Sequence, residues 1–473
     1  MKRVDQAQAP LALTVDRTDT VPLAEQIYLS LRDAILERRI APGARLSSWR
    51  DLAIQLGVSR GTVRAAYDRL ADDMLVVPAG AAGTRVALAR ASSPAAPVEI
   101  GRPLRDMLHA FSAVPLPFQM GVPAQDAFPA KIWARARLRA VRHDALGPMS
   151  YADPRGQPQL REQLAGYLAM TRGIACAPDQ IIITGGFRAG LALALRALDL
   201  TGPEAWVEDP GFPLTRRALA AAGLRSIPVS VDGEGMLVGE GEAKAPRAGL
   251  ALVTPGQQAP MGVVLSPARR RALLDWAART GGWVIEDDYL SELQLHGRSV
   301  PALFAEDRRG RVIHIGSFSK TLSPALGLGF MVVPAAQAER FGEVAALLAP
   351  APNLTTQMAV AEFIADGHYL RHLRHMKRIY GERQAALRQC LDLPGCDAVM
   401  AGLALLVRLD RGVDDVLLAK RSIDRGIAPV PLSPWYMDDT RRAPGLLLGV
   451  TNLTNRNLNQ AVCTLTDVLS HRA

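Results

Sequence analysis

Near the start of the chain Leu23, Ile27, Leu31 and Ile35 recur at helical spacing, the mark of one buried stripe, and Ala41-Pro42-Gly43 ends the element. A second, short helix is expected from Ser48, whose hydroxyl suits an N-cap, to Gly57, a residue type favoured where helices stop. Ser59 then caps a third helix with Val63, Tyr67 and Leu70 along its inner face. Short helices joined through a glycine turn predict a helix-turn-helix, and Val76 to Val86, with Gly80 and Gly83 inside, fits a small hairpin or wing.

The pattern then changes twice. Residues 87–117 carry Ser92-Ser93-Pro94-Ala95-Ala96-Pro97 and little periodicity, which is linker chemistry. From Phe118 onward short β-branched runs alternate with amphipathic helices, predicting an α/β domain with a mainly parallel sheet. The expected organisation is a DNA-binding unit over 15–87, a linker over 88–117 and a large domain over 118–473. Five runs in that domain stop at polar or glycine-rich residues: 181–184 at Gly185-Gly186, 205–209 at Pro210-Gly211-Phe212, 250–254 at Pro255-Gly256, 283–285 at Glu286-Asp287-Asp288-Tyr289, and 312–315 at Gly316-Ser317-Phe318-Ser319-Lys320. Ligands of open α/β sheets lie beyond the carboxyl ends of the strands, so these ends imply one shared pocket.

Composition narrows the class. Of 473 residues 49% are apolar and 21% charged, which rules out disorder as the main state. The longest apolar stretch, Thr321 to Ala338, is interrupted by Pro324, Gly327, Gly329 and Pro334, so no membrane span is expected. The N-terminus has no apolar export segment, and Cys176, Cys390, Cys396 and Cys463 form no metal or redox spacing. A cytoplasmic protein with reduced thiols and no metal is expected. The net charge of +9 invites a nucleic-acid partner, yet residues 1–86 hold twelve Lys and Arg against ten Asp and Glu. Affinity for DNA should therefore depend on dimeric binding to two half-sites and fall steeply with salt.

The chemistry of the pocket can be read from residue types. Ser317, Ser319 and Lys320 share a turn expected to open a helix, and the Gly185-Gly186 turn before a helix over 187–198 offers main-chain amides to the same anion. A lysine beside a phosphate site, with Asp287 from a neighbouring strand end, resembles the layout for pyridoxal phosphate: an imine on the lysine and an acid at the pyridine nitrogen. Tyr289 is placed to donate to the ring hydroxyl and Phe212 to cover the ring face. Each residue has a plainer reading: a solvated turn, an acidic pair at a helix start or metal, a core phenylalanine.

The stretch "PLAEQIYLSLRDAILERRIAPGARLSSWRDLAIQLGVSRGTVRAAYDRLADDMLV" resembles the GntR-type winged helix-turn-helix, while "FQMGVPAQDAFP", "YADPRGQPQLREQLAGYLAMTRGI", "VEDPGFP", "WVIEDDYLSELQLHG" and "HIGSFSKTLSPALGLGF" resemble a fold-type I aminotransferase. Together they resemble the MocR/GabR family of transcription regulators. The resemblance implies a Schiff base on Lys320, the pyridine nitrogen on Asp287, the ring oxygen on Tyr289, stacking by Phe212 where the family commonly has tyrosine, and phosphate binding by Ser317 and Ser319. Gly186, Phe187 and Arg188 supply the second phosphate turn. Tyr151 matches a tyrosine lent across a dimer interface, which implies a homodimer.

Three positions depart from the pattern. Gly327 stands where a phosphate-binding arginine is common, Ala259 where aminotransferases carry an asparagine, leaving Tyr289 to act alone, and Leu447 where an arginine binds the substrate carboxylate. Arg188, where relatives have glutamine, is placed to replace the charge missing at Gly327. In the head, Ser59 caps a recognition helix whose Arg60, Thr62 and Arg64 meet base edges in the major groove of double-stranded DNA, with Arg50 on phosphate. The wing, "PAGAAGTRV", lacks the basic residue and serine common in relatives. The reading implied is a regulator that binds DNA through the head and senses a small amine, an amino acid or pyridoxal phosphate through the large domain. An active aminotransferase with a DNA-binding head, or a DNA-binding dimer that has lost the cofactor, are the alternatives.

Overall fold

The computed structural model describes residues 13–87 and 114–470 except positions 20, 38, 79–82, 148–149, 201, 296–299, 349–350 and 392–396. Two compact units divide at Ala113 and Val114. Most of the expected linker, residues 88–113, lies outside the described residues, as do Gly80 and Cys396.

In the first unit α1 (Leu23–Leu36), α2 (Trp49–Leu56) and α3 (Arg60–Asp72) precede β1 (Val76–Pro78) and β2 (Thr84–Val86), which pair antiparallel. The Ser48 side chain accepts from Asp51 N, and that of Ser59 from Thr62 N, so both expected caps are made. Gly57 ends α2 at φ 64°, a left-handed conformation that favours glycine. The stripe of α1 is rotated slightly from expectation: Ile27, Tyr28, Leu31 and Ala34 are buried, whereas Leu23 and Ile35 are partly covered. Val63, Ala66, Tyr67 and Leu70 of α3 complete this core. The chain at 43–46 also runs along β2, with Leu46 N donating to Thr84 O and Val86 N to Ala44 O.

The second unit is built on an eight-stranded sheet in the order β3-β10-β9-β8-β7-β4-β5-β6. Its strands are β3 (Ile181–Thr184), β4 (Glu204–Asp209), β5 (Arg225–Asp232), β6 (Gly235–Met236), β7 (Leu250–Val253), β8 (Trp283–Asp288), β9 (Val312–Ser317) and β10 (Gly329–Val332). Neighbours from β5 through β4, β7 and β8 to β9 are parallel, and β10 runs antiparallel between β9 and β3. β3, β7 and β8 are buried along their whole length, as strands covered by helices on both faces must be. Separate apolar clusters fill the two faces, one around Leu191 and Ile313 and one around Trp206 and Trp276. A smaller antiparallel sheet, β11 (Ala398–Ala401), β12 (Ala404–Arg408), β13 (Val430–Pro431) and β14 (Gly445–Gly449), ordered β11-β12-β14-β13, closes the unit and was not foreseen.

The N-terminal segment of this unit is pinned to that sheet. Ala428 N donates to Pro117 O, Gly449 N donates to Phe118 O, and Phe118 is fully buried at φ 67°, rare for a residue with a Cβ. One local expectation is corrected: no α-helix opens at Ser317–Lys320. The chain instead makes turns and a single 3-10 turn, Pro324–Leu326, because it must reverse through Gly327 (φ 54°) into β10 within a dozen residues. Among the described residues no helix is long and apolar enough to cross a membrane.

Candidate cofactor site and nucleic-acid interface

The carboxyl ends of β3, β4, β7, β8 and β9 lie along one edge of the sheet, so the five polar strand ends meet. Lys320, just past β9, is half-buried, and its Nζ donates to the carbonyl of Gly121 at 2.7 Å. Burial lowers its pKa; the Asp287 carboxyl opposes this, and the nearby Arg188 charge adds to it. A buried amine with lowered pKa is the more nucleophilic form. Gly121 was missed from sequence: its φ of 83° and its carbonyl, 199 positions from the lysine, gave no local signal beyond the quoted "FQMGVP".

Side chains alternate along β8, and this separates its acids. Glu286 pairs with His314 Nδ1 at 3.0 Å and Asp288 with Arg172 Nε at 2.7 Å. Asp287 points the other way, 7% exposed, and its Oδ1 is buried with no hydrogen-bond partner. Its pKa is held well above the carboxylate range by burial first, then by Asp288 and Glu208, with Lys320 opposing. The adjacent acids are thus one ion-paired structural residue and one unpartnered carboxyl, rather than a metal pair. Among the described residues no cluster suits a metal ion.

A small pocket is lined by Asp287, Phe212, Thr254, Arg216, Thr215 and Glu208, among others. Glu208, also missed from sequence, is buried under Thr254, whose N–H and hydroxyl donate to it at 3.1 and 2.5 Å. Burial pushes its pKa up to about 7, the hydrogen bonds from Thr254 and Gln258 opposing. Phe212 is half-buried on this cavity, its ring 5.9 Å from Trp435. Tyr289 does not stand alone: its hydroxyl shares a hydrogen bond with the Gln257 side chain, and burial raises its pKa strongly. Gln257 is two positions from Ala259, so an amide reaches the tyrosine from elsewhere in the same loop.

At the anion end, Gly186 (φ 89°) is the N-cap of the helix Phe187–Ala197, and a Cβ there would meet nothing within 4 Å. The first-turn amides of that helix have no intrahelical partner. The Phe187 ring packs against the core, so only its backbone faces the turn. The Ser317 hydroxyl donates to Ser319 Oγ at 3.0 Å and accepts from Ser319 N at 3.2 Å. Arg188 is exposed on the first helical turn, within electrostatic reach of Lys320. Gly327 offers no cation, and a Cβ on Gly185 would lie 4.0 Å from its carbonyl oxygen. Tyr151 is fully exposed, away from these residues' enclosure. Leu447 is fully buried in an apolar cluster with Ala401, Leu406 and Leu432. The residues present fit pyridoxal phosphate: an unpartnered acid for a ring N–H, free amides with open space for a phosphate, and an amine between.

In the head, Arg60 and Arg64 are exposed on the outer face of α3, and Arg50 lies over the Trp49 ring at 4.8 Å. The Thr62 hydroxyl is 2.7 Å from Ser59 Oγ, engaged in the cap. The charges are segregated. Arg32, Arg39, Arg64 and Arg69 each pair with an acid of this unit, whereas among the described residues Arg45, Arg50, Arg60 and Arg85 face no carboxylate. The backbone at Arg45 pairs antiparallel with that at Arg85 and the Arg45 guanidinium lies beside Gly83, so a cation from outside the hairpin stands by the wing.

Residues 116–462 match the family "Aminotransferase class I and II", and residues 23–86 match "Bacterial regulatory proteins, gntR family". The probable rhizopine catabolism regulatory protein MocR of Rhizobium meliloti is 33% identical over 470 residues, spanning 96% of this chain and 95% of that protein. The chain belongs to the MocR family of transcriptional regulators. Another relative, the pyridoxine biosynthesis transcriptional regulator PdxR of Corynebacterium glutamicum, is 31% identical across 98% of this chain and 99% of its own. The solved structure of an archaeal alanine:glyoxylate aminotransferase superposes with a TM-score of 0.70 at 24% identity, covering 76% of this chain and 92% of that one. As a MocR-family member the protein is a DNA-binding transcriptional regulator with an aminotransferase-like unit, and pyridoxal phosphate is the cofactor that its family and fold indicate.

Proposed function

We propose that this regulator holds pyridoxal phosphate on Lys320 and responds to a small amine, an amino acid or the cofactor itself, acting as a cytoplasmic homodimer on two DNA half-sites. What carries the reading is the pairing, on one sheet edge, of a lowered-pKa amine and a buried acid oxygen with no partner of its own. Bound pyridoxal phosphate supplies an aldehyde that condenses with primary amines. Asp287 would hold the ring nitrogen, Tyr289 with Gln257 the ring oxygen, and Phe212 one ring face. Gly186, Phe187, Arg188, Ser317 and Ser319 would hold the phosphate, with Tyr151 lent to a second copy. Its full exposure supports that last role. Ligand sensing needs only different affinities for two conformations, not turnover.

The deciding experiment adds pyridoxal phosphate to the purified protein. A visible imine band, together with a footprint on operator DNA that shifts when amine is added, is the expected result. A colourless protein that ignores the cofactor would favour the scaffold reading, whose support is the missing cation at Gly327. Arg188→Gln tests the compensation: cofactor affinity should drop about tenfold as a charge-assisted hydrogen bond is lost, and unaltered affinity in a titration would dispose of the idea.

On the DNA side, Arg60→Ala should cost about 1–3 kcal/mol of specific affinity and relax preference at one base pair. Arg45→Ala should weaken all sequences alike and lower the salt slope by about one. Binding isotherms at several salt concentrations separate the two; equal, sequence-independent losses would remove Arg60 from the base edges.

A further inference from the structure

An apolar cluster stands beside the pocket residues, away from the anion turn. Met120 precedes Gly121, whose carbonyl holds the Lys320 amine, and it packs on the Leu406–Leu432–Leu447 cluster. Met261, Trp435 and Tyr436 pack on that cluster too. Each of these four is half-buried, so each keeps surface open beside the cluster. The wall joins the cofactor side directly: Trp435 meets the Phe212 ring, and Gly211 N donates to Trp435 O at 3.0 Å. The Met261 loop is fixed to the same place, with Gln258 Nε2 donating to Pro210 O at 2.8 Å.

Among the described residues, the cations near this wall already hold partners. Arg408, within electrostatic reach of Tyr436, pairs with Asp397 at 3.2 Å. Arg216 lines the pocket itself, donates to Pro434 O at 2.7 Å and faces the Asp209 carboxyl. Arg188 stands at the anion turn. A carboxylate brought against Met120, Met261 and Trp435 would lose water and gain only neutral donors such as the Trp435 indole N–H, which is costly for an ion. An apolar tail would gain from the same contact.

We infer that the effector is a primary amine carrying an apolar or aromatic tail and no carboxylate, with the amine at Lys320 and the tail on Met120, Met261 and Trp435. This rests on the cofactor reading above. The exchange balances without a redox partner: the incoming nitrogen replaces Lys320 Nζ in the C=N bond, and the lysine leaves as a free amine with the two hydrogens of the incomer.

The test is a spectral titration of the full-length protein, loaded with pyridoxal phosphate, using 2-phenylethylamine and L-phenylalanine, which differ by the carboxylate alone. The amine should perturb the imine band at a concentration at least about tenfold lower than the amino acid. Equal or stronger response to L-phenylalanine overturns the inference, as does silence toward both; in either case the band itself still stands for the cofactor reading. Absence of the band sinks both together. Met261→Lys, at a half-exposed site where a lysine stem can lie along the wall, should narrow the preference while keeping the band. A preference unchanged in that variant would show that the wall does not select.

Discussion

Lys320→Ala is expected to abolish the visible imine band while leaving DNA binding by the unliganded protein in place. Lys320 carries the primary amine that would bond to the aldehyde carbon, and it sits near enough to Asp287 for the two to shift one another's pKa. Removal also strips Gly121 O of its donor, at a cost of about 1–3 kcal/mol if no water replaces it. The fold should survive this, since the large unit has separate cores on both sheet faces. Absorption spectra of both forms with added cofactor, with circular dichroism as the folding control, check the outcome. A variant that keeps its band would move the Schiff base elsewhere.

The second large effect is in stability against pH, and Glu208 sets it. Its pKa is about 7 in the fold against an ordinary 4.5, because burial penalises the carboxylate. Below both values the group is neutral in either state and costs nothing. As pH rises through this window the unfolded chain releases the proton first, so the folded state loses stability, and above the upper value the loss stops growing. The separation between 4.5 and about 7 corresponds to about 3 kcal/mol. Glu208→Gln removes that loss and also relieves Asp287 of a like charge, which acts in the same direction. The variant should therefore gain on the wild type by about 3 kcal/mol between pH 4.5 and pH 8. Urea unfolding of the large unit at both pH values measures it. A difference that stays constant across the window would mean that Glu208 ionises normally.

Much of the fold was written in short-range pattern. Ser48, Gly57 and Ser59 act on neighbours three or four residues away, so their caps could be read directly. The five strand ends were legible because doubly covered parallel strands are apolar runs that stop abruptly. The small sheet was not, since its strands are two to five residues long and, apart from the β11–β12 hairpin, pair across long intervening segments. Gly121 and Glu208 escaped for the same reason: the first is defined by a lysine 199 positions away, the second by Thr254 and Gln258 at 46 and 50. The acidic pair at 287 and 288 could be divided only once β8 showed which acid faced Arg172. The Arg45 contribution to the wing was likewise invisible, because it reaches Gly83 from a segment nearly forty positions upstream.

When the lysine nitrogen is taken up by carbon, the Gly121 carbonyl must find another donor or move. It is three residues from Phe118, whose left-handed backbone is tied to Gly449, and four from Pro117, tied to Ala428. These are among the first residues after the stretch that joins the two units in sequence. The bonding of one nitrogen thus sits three and four residues from the two points at which the large unit's first described segment is fastened by hydrogen bonds.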